Sequence, residues 1–373
     1  MAKKKEDKVI KVKKVTNKNS QKFLETYLNN SSPTGYEESG QRIWLDYLKP
    51  YMDDYLVDNY GSVAAIINPG MDFRVVIEAH SDEISWYVNY ISEDGFIYVI
   101  RNGGSDHQIA PAMRVTLHGD NGPIDGHFGW PAIHTRRPDA MKEQSPSLTN
   151  IFIDCGCASK QEVLEKGVKV GTVITFNDGY KTLNEKFHVG RALDNRMGGF
   201  VIAEVARLLK ENKNVLPFTL YVTNCVQEEV GLRGAEMMTQ TIKPHLAIIT
   251  DVTHDTSTPM LDKKVLGDLR CGLGPVLDRA PAVHRKLYDI IEATAKREGI
   301  QLQYAASSRV TGTDTDAFAY SNGGVVSALL SFPLRYMHTT VETVAKNDVE
   351  ETIQLIYHTL LAIDPKISWK YLD

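Results

Sequence analysis

The spacing of apolar residues changes along the chain, and each change predicts a structural boundary. QKFLETYLNN (21–30) and YEESGQRIWLDYLKPYM (36–52) repeat apolar residues at helical spacing, with SSPTG between them as break and cap. DYLVDNYGSVAAIINPG (54–70) reads as two short strands joined at Asn59 to Gly61. FRVVIEAH (73–80) is a near-continuous apolar run, as expected of a strand covered on both faces. From about 88 to 180 the runs are short and β-rich (YVNYI, FIYVI, MRVTL, PIDGHFGW). They are separated by the glycine turns EDG, NGG and GDNG, and no long helical pattern appears before 160. Helical and strand patterns then alternate again. NRMGGFVIAEVARLLKEN and HRKLYDIIEATAKREG read as helices, and LPFTLYVTNCV, HLAIITDV and GVVSALLSF as strands. In the last helix Val349, Ile353, Ile356, Leu360 and Ile363 fall on one face, with Asn347 as the expected N-cap.

The pattern predicts an α/β domain interrupted by a small β module inserted after the strand that ends at His80. The expected limits are a basic arm over 1–20, an α/β domain over 21–87 and 181–373, and the module over 88–180. The arm, MAKKKEDKVIKVKKV, reads as a solvated segment, with an electrostatic tether as the alternative. The chain has 373 residues, 42% hydrophobic and 24% charged, enough for a sizeable core. A formal charge of -5 argues against a nucleic-acid partner, and no apolar run is long enough to span a membrane. No secretory signal pattern is visible, so a cytoplasmic location is expected. Cys155 and Cys157 form a C-x-C pair without a second pair at zinc-ribbon spacing, and Cys225 lies in an apolar strand. With Cys271, they read as free buried thiols.

Polar groups cluster where apolar strands end. IEAHSDE carries His80 and Asp82 two residues apart, hence on one side of a strand. HVGRALDNRMGG places Asp194 and Asn195 before a helix, QEEVG gives Glu228 and Glu229, AIITDVTHD gives Asp251, and RYMHT gives His338 after a strand. In open α/β sheets ligands bind beyond the carboxyl ends of strands. Imidazole and carboxylate donors without thiolate suit zinc, cobalt or manganese. Two histidines with three carboxylates exceed the needs of one tetrahedral ion and fit two ions bridged by a carboxylate. An acidic group must stay free to take a proton from water. Adjacent glutamates on extended backbone point differently, so one can bind metal and the other act as base, in either order.

AHSDE, GRALDNRMGG, QEEVGLRGA, TDVTHD and RYMHT, in that order, resemble the glutamyl and tetrahedral (TET) aminopeptidase family of dinuclear metallopeptidases, also labelled cellulase M-like. The resemblance runs from about SPTGYEE to VEETIQLI and includes IDCGCAS and GVKVGTVITF in the β module. It implies a phosphorylase/hydrolase-like α/β metallopeptidase domain with an inserted β-barrel-like module used in dimerisation. It implies two divalent ions per chain, with Asp194 bridging, His80 and Asp251 completing one site, and Glu229 and His338 completing the other. Glu228 is then the general base, and Asp82 orients His80. Peptide substrates, cleaved at the N-terminal bond, and self-association into a dodecamer follow from the same resemblance. TGTDTDAFAY (311–320) departs from the family pattern of two glycines before Thr-Asp, which bears on substrate preference.

The same residues admit other functions and roles. A deblocking peptidase or deacylase would use the same metal site. A glycoside hydrolase needs two carboxylates but has no use for clustered imidazoles. A catalytically dead scaffold predicts a missing ligand or base, and none is missing. Asp194 can also be read as an N-cap. His107, His118, His127 and His134 match no ligand position and read as surface or interface residues. Trp86 and Trp130 read as core or interface, with substrate platforms as the alternative, Asp314 and Asp316 as loop hydrogen-bonding groups, with help to a metal or substrate as the alternative, and Glu342 as a support for His338. Arg309 and Arg335 are candidates to meet a substrate charge, with a carboxylate beside the metals as the other partner for Arg335.

Overall fold

The computed structural model describes residues 14–135 and 145–373. It contains an 11-stranded mixed sheet and a closed six-stranded barrel. In the middle of the sheet Thr219–Cys225, Arg74–His80, Leu246–His254 and Val326–Arg335 lie side by side and parallel. Antiparallel strands flank them, Val63–Ile67 and Asp54–Val57 on one side and Glu342–Ala345, Phe187–Gly190 and Lys181–Leu183 on the other. Val75, Val76 and Ile77 are wholly buried, as are Val222 on one neighbouring strand and Ile248 on the other. Burying such an aliphatic side chain contributes about 1.5–3 kcal/mol, which is why these runs form the centre of the sheet. The helix Leu193–Glu211 packs across Arg74–His80 and against the helix Lys346–Ala362. The indole of Trp44, fully buried, donates to the Gly199 carbonyl at 2.8 Å and ties the helix Glu38–Leu48 to the same layer. Because the central strands are parallel, their carboxyl ends share one edge of the sheet.

The barrel comprises Ser85–Ile91, Ile97–Asn102, Arg114–Gly119, Gly122–Gly129, Phe152–Asp154 and Val173–Phe176. It has a hydrophobic cluster of its own, separate from that of the main sheet, with Trp86 at the centre. Trp86 meets Phe128 edge-on at 5.5 Å, and Trp130 packs against the cluster from outside. The barrel strands thus start at Ser85, three residues before the limit of 88 read from the sequence, and end at Phe176, short of the limit of 180.

Several local expectations are corrected. The first helix is Lys18–Asn29, capped by Asn17, so it begins inside the segment read as a basic arm. Val15 donates its backbone N–H to Glu350 at 2.8 Å, and Arg207 donates to the Val15 carbonyl, fastening this part of the arm to the body. Residues 1–13 of the arm lie outside the described residues. The last helix starts at Lys346 with Ala345 as N-cap, because the strand Glu342–Ala345 runs directly into it; Asn347 does not cap it. Asp251 is not at a strand end, since Leu246–His254 continues three residues past it. All four cysteines are free; Cys225 and Cys271 are buried, whereas Cys155 and Cys157 are only half-buried, with sulfurs 3.6 Å apart.

Candidate metal centre

The carboxyl edge of the sheet delivers the side chains singled out from sequence to one place. His80 is the last residue of Arg74–His80, and Cys225 lies directly beside it on the neighbouring strand. The chain leaves Cys225, turns through Gln227 in the left-handed region (φ 58°), and presents Glu228 and Glu229 in a short turn. Asp82 fixes that turn by accepting the backbone N–H groups of Glu228 at 3.0 Å and Glu229 at 3.2 Å. Thr34 donates its hydroxyl to the same carboxylate at 2.8 Å.

Asp194 lies in the first turn of Leu193–Glu211 with non-helical backbone, and its peptide bond to Asn195 is cis. Its carboxylate does not cap the helix. That role passes to Asn195, whose side chain accepts from Gly198 at 3.1 Å and donates to the Thr250 carbonyl at 2.8 Å.

Two trios of potential donors result, His80–Asp194–Asp251 and Asp194–Glu229–His338, each with one donor atom per residue within 4.8 Å of the others. Asp194 belongs to both. One of its oxygens lies 3.2 Å from His80 Nε2 and the other 3.4 Å from His338 Nε2. Asp251 approaches His80 to 3.9 Å and Glu229 approaches His338 to 3.3 Å. Glu228 stands apart from both trios, its carboxylate 3.9 Å from His80 Nε2.

Charge explains what this arrangement needs. Burial opposes ionisation of Asp194, but His338 and His80 outweigh it and hold the carboxyl well below its usual range. Burial raises Asp251 well above the ordinary carboxyl value, Asp194 and Asp314 adding to it while His80 opposes. Burial also pushes Glu228 up to about 10, against His80 and with Asp314, Asp251 and Glu229 adding to it. Among the described residues the ion pairs of Asp194, Glu228, Glu229 and Asp251 are with His80 or His338, never with lysine or arginine. Two buried carboxyls, Asp194 and Asp251, and two half-buried ones, Glu228 and Glu229, thus surround two imidazoles without a lysine or arginine among the described residues, and these oxygen and nitrogen donors match divalent ions of the zinc, cobalt and manganese type. The residues fit such a group.

Glu342 holds both halves together. One of its oxygens accepts the His338 backbone N–H at 2.8 Å and the other accepts that of Asp194 at 3.1 Å. His338 sits in the left-handed region at φ 62°, a conformation that costs a non-glycine residue roughly 1–2 kcal/mol and needs such support.

Other residues fall away from the centre. Asp316 accepts the backbone N–H of Thr311 at 2.8 Å and that of Gly312 at 3.1 Å, a loop role. Asp314 takes no such bond. Arg335 pairs with Asp255 at 2.6 Å, not with a carboxylate of the trios. His118 bonds Thr175 at 2.9 Å in the barrel, and His107 bonds Arg101 at 2.6 Å.

Two contributors escaped the sequence reading. Arg191 is buried against Glu83 and borders the cleft that reaches Asp194, Glu229 and His338, together with Phe176 of the barrel. The barrel loop after Ile97–Asn102 also touches the centre. A Cβ on Gly104 would come within 2.5 Å of His338 Nδ1, and one on Gly103 within 3.1 Å of the Glu229 Cβ. The signal was present as the NGG turn, but only the fold shows what it approaches.

Fold and centre together define an α/β metallohydrolase with an inserted barrel. More specifically, residues 61–355 match the family model for M42 glutamyl aminopeptidase, and the chain belongs to that family. It is 32% identical over 344 residues to a lysyl aminopeptidase of Pyrococcus furiosus, covering 92% of this chain and 97% of that protein. A TET aminopeptidase from a marine-sediment Thaumarchaeota archaeon superposes with a TM-score of 0.89 at 28% identity, covering 94% of this chain and 98% of that one. The TET1 peptidase of Pyrococcus horikoshii, which can assemble into a tetrahedron or a large octahedral shell, superposes with a TM-score of 0.78 at 27% identity, covering 91% and 98%. The protein is an aminopeptidase, a metal-dependent hydrolase of peptide bonds. Among the described residues no helix is long and apolar enough to cross a membrane.

Proposed function

We propose that this aminopeptidase removes N-terminal residues from short peptides at a dinuclear centre built on Asp194. The observation that carries the reading is the sharing of Asp194 by two donor trios while Glu228 stays outside both. His80 and Asp251 would hold one ion with Asp194, and Glu229 and His338 would hold the other. Zinc or cobalt suits the donors best, with manganese as a further candidate. When bound, two such ions supply Lewis acidity to the scissile carbonyl and to the attacking water.

The remaining chemistry belongs to the chain. Glu228 takes the proton from the attacking water as its oxygen bonds to the carbonyl carbon, then passes it to the amine that leaves when the C–N bond breaks. Asp82 holds the Glu228–Glu229 turn by its backbone and stands 3.4 Å from His80 Nδ1, orienting that imidazole. Like the TET1 relative, the chain is proposed to assemble, with the barrel between subunits and a dodecamer as the first choice.

Substitution of the two adjacent glutamates tests the assignment. Glu228→Gln keeps size and hydrogen-bonding reach but cannot accept a proton, so kcat falls by about 10²–10⁴ with bound metal retained. Glu229→Gln instead lowers metal content, because a neutral amide is the poorer ligand. Near-normal kcat in Glu228→Gln, or metal loss in that variant alone, refutes the division of roles.

A further inference from the structure

Beneath the dinuclear centre lies a second group of donors. Glu78 precedes His80 by two residues on the same strand and shares its face. Cys225 is paired with His80 across the strand boundary. Asp314 opens the helix Asp314–Ala319. One donor atom from each lies within 4.8 Å of the others. Exposure is 0% for Glu78 and Cys225 and 1% for Asp314. None of the three is a proposed ligand or base of the hydrolytic centre.

Their hydrogen bonding sets them apart from the other buried acids. Neither Glu78 nor Asp314 accepts a hydrogen bond from outside the group: their carboxyls meet each other, and that of Glu78 meets the Cys225 thiol. Asp348, equally buried, accepts the backbone N–H groups of Gly272 at 2.7 Å and Gly274 at 2.9 Å. Buried carboxyls are ordinarily satisfied in that way, so two buried carboxyls whose only partners are each other and a thiol point to a missing cation.

We propose that Glu78, Cys225 and Asp314 form a third cation site, for a thiophilic divalent ion such as zinc or cobalt. A thiolate with two carboxylates suits such borderline ions, whereas magnesium and calcium prefer oxygen alone. The ion would tie Arg74–His80, Thr219–Cys225 and the Asp314 helix together where the two strands deliver His80 and the glutamate turn. Cys225 already joins the two strands there, its carbonyl accepting the Ser81 N–H and hydroxyl, both at 2.8 Å. The site is distinct in chemistry from the dinuclear centre, which has no sulfur donor.

Cobalt distinguishes the two. Protein produced in cobalt-supplemented medium should show a near-ultraviolet thiolate-to-cobalt charge-transfer band and bind about one ion per chain beyond the dinuclear pair. Cys225→Ala should lose both the band and that ion and keep the pair. Cys155→Ser/Cys157→Ser should keep the band, which also decides the matter if Cys225→Ala fails to fold. A folded, cobalt-loaded Cys155→Ser/Cys157→Ser protein with no band and no extra ion overturns the proposal, leaving a protonated cluster of two carboxyls and a thiol. A band that survives Cys225→Ala overturns it as well.

Discussion

Glu342 joins the two halves of the centre through main-chain hydrogen bonds alone. Its two oxygens bind the N–H groups of Asp194 and His338, residues whose side chains meet 3.4 Å apart. Removing it frees both backbones, and His338 loses the contact that offsets its left-handed conformation. Partners of this kind are typically worth 10–100-fold in metal affinity. Glu342→Ala should therefore weaken metal binding by about that factor while the fold persists, as read by competition with a chelator. Unchanged affinity would show that the ligands hold their geometry without it. Asp82 does comparable work at the glutamate turn, which is how two like charges in sequence come to face different imidazoles.

Among the elements, the inserted barrel does more than extend the molecule. Its Gly103–Gly104 loop lies on Glu229 and His338, and its Phe176 lines the cleft beside them. Gly103 also adopts φ 74°, a conformation glycine takes without cost. Gly104→Ala would place a methyl group within 2.5 Å of the His338 ring, closer than carbon and nitrogen can approach. Unless the loop yields, the ring must leave its present place beside Asp194 and Glu229. We expect kcat/KM to drop by at least about tenfold with the loss concentrated in the His338 half of the centre, seen as partial metal occupancy. A variant with full occupancy and normal kinetics would mean that the loop yields instead of the ring.

For the whole molecule, the barrel carries apolar side chains that its own core leaves outside. Ile133 is 71% exposed, Val170 64%, Tyr90 52% and Ile100 46%. Exposed apolar groups of this density suit burial between subunits. Light scattering should find a particle of several chains, and Ile133→Lys/Val170→Lys should shift it to smaller species. A strictly monomeric wild type with full activity at working concentration contradicts the proposed assembly.

The sequence by itself determined the local facts. Apolar runs of strand type named Arg74–His80 and Thr219–Cys225, and polar groups at or near the ends of strands, or just before a helix, named His80, Glu228, Glu229, Asp194, Asp251 and His338. Periodicity reports which face of an element is buried, and that depends only on near neighbours in the chain. The strands Val276–Arg279 and Gln303–Ala306 were not legible, being four residues each and too short to show a period. Only the tertiary structure decided which glutamate faces which imidazole, that Glu342 serves two ligands, that Gly104 touches His338, and that Glu78 and Asp314 meet under His80. Apart from Glu342 and His338, these pairs lie more than a hundred positions apart in the chain, and strand order and register set their distances. Register is fixed by the packing of the whole sheet, so no stretch of sequence carries it alone.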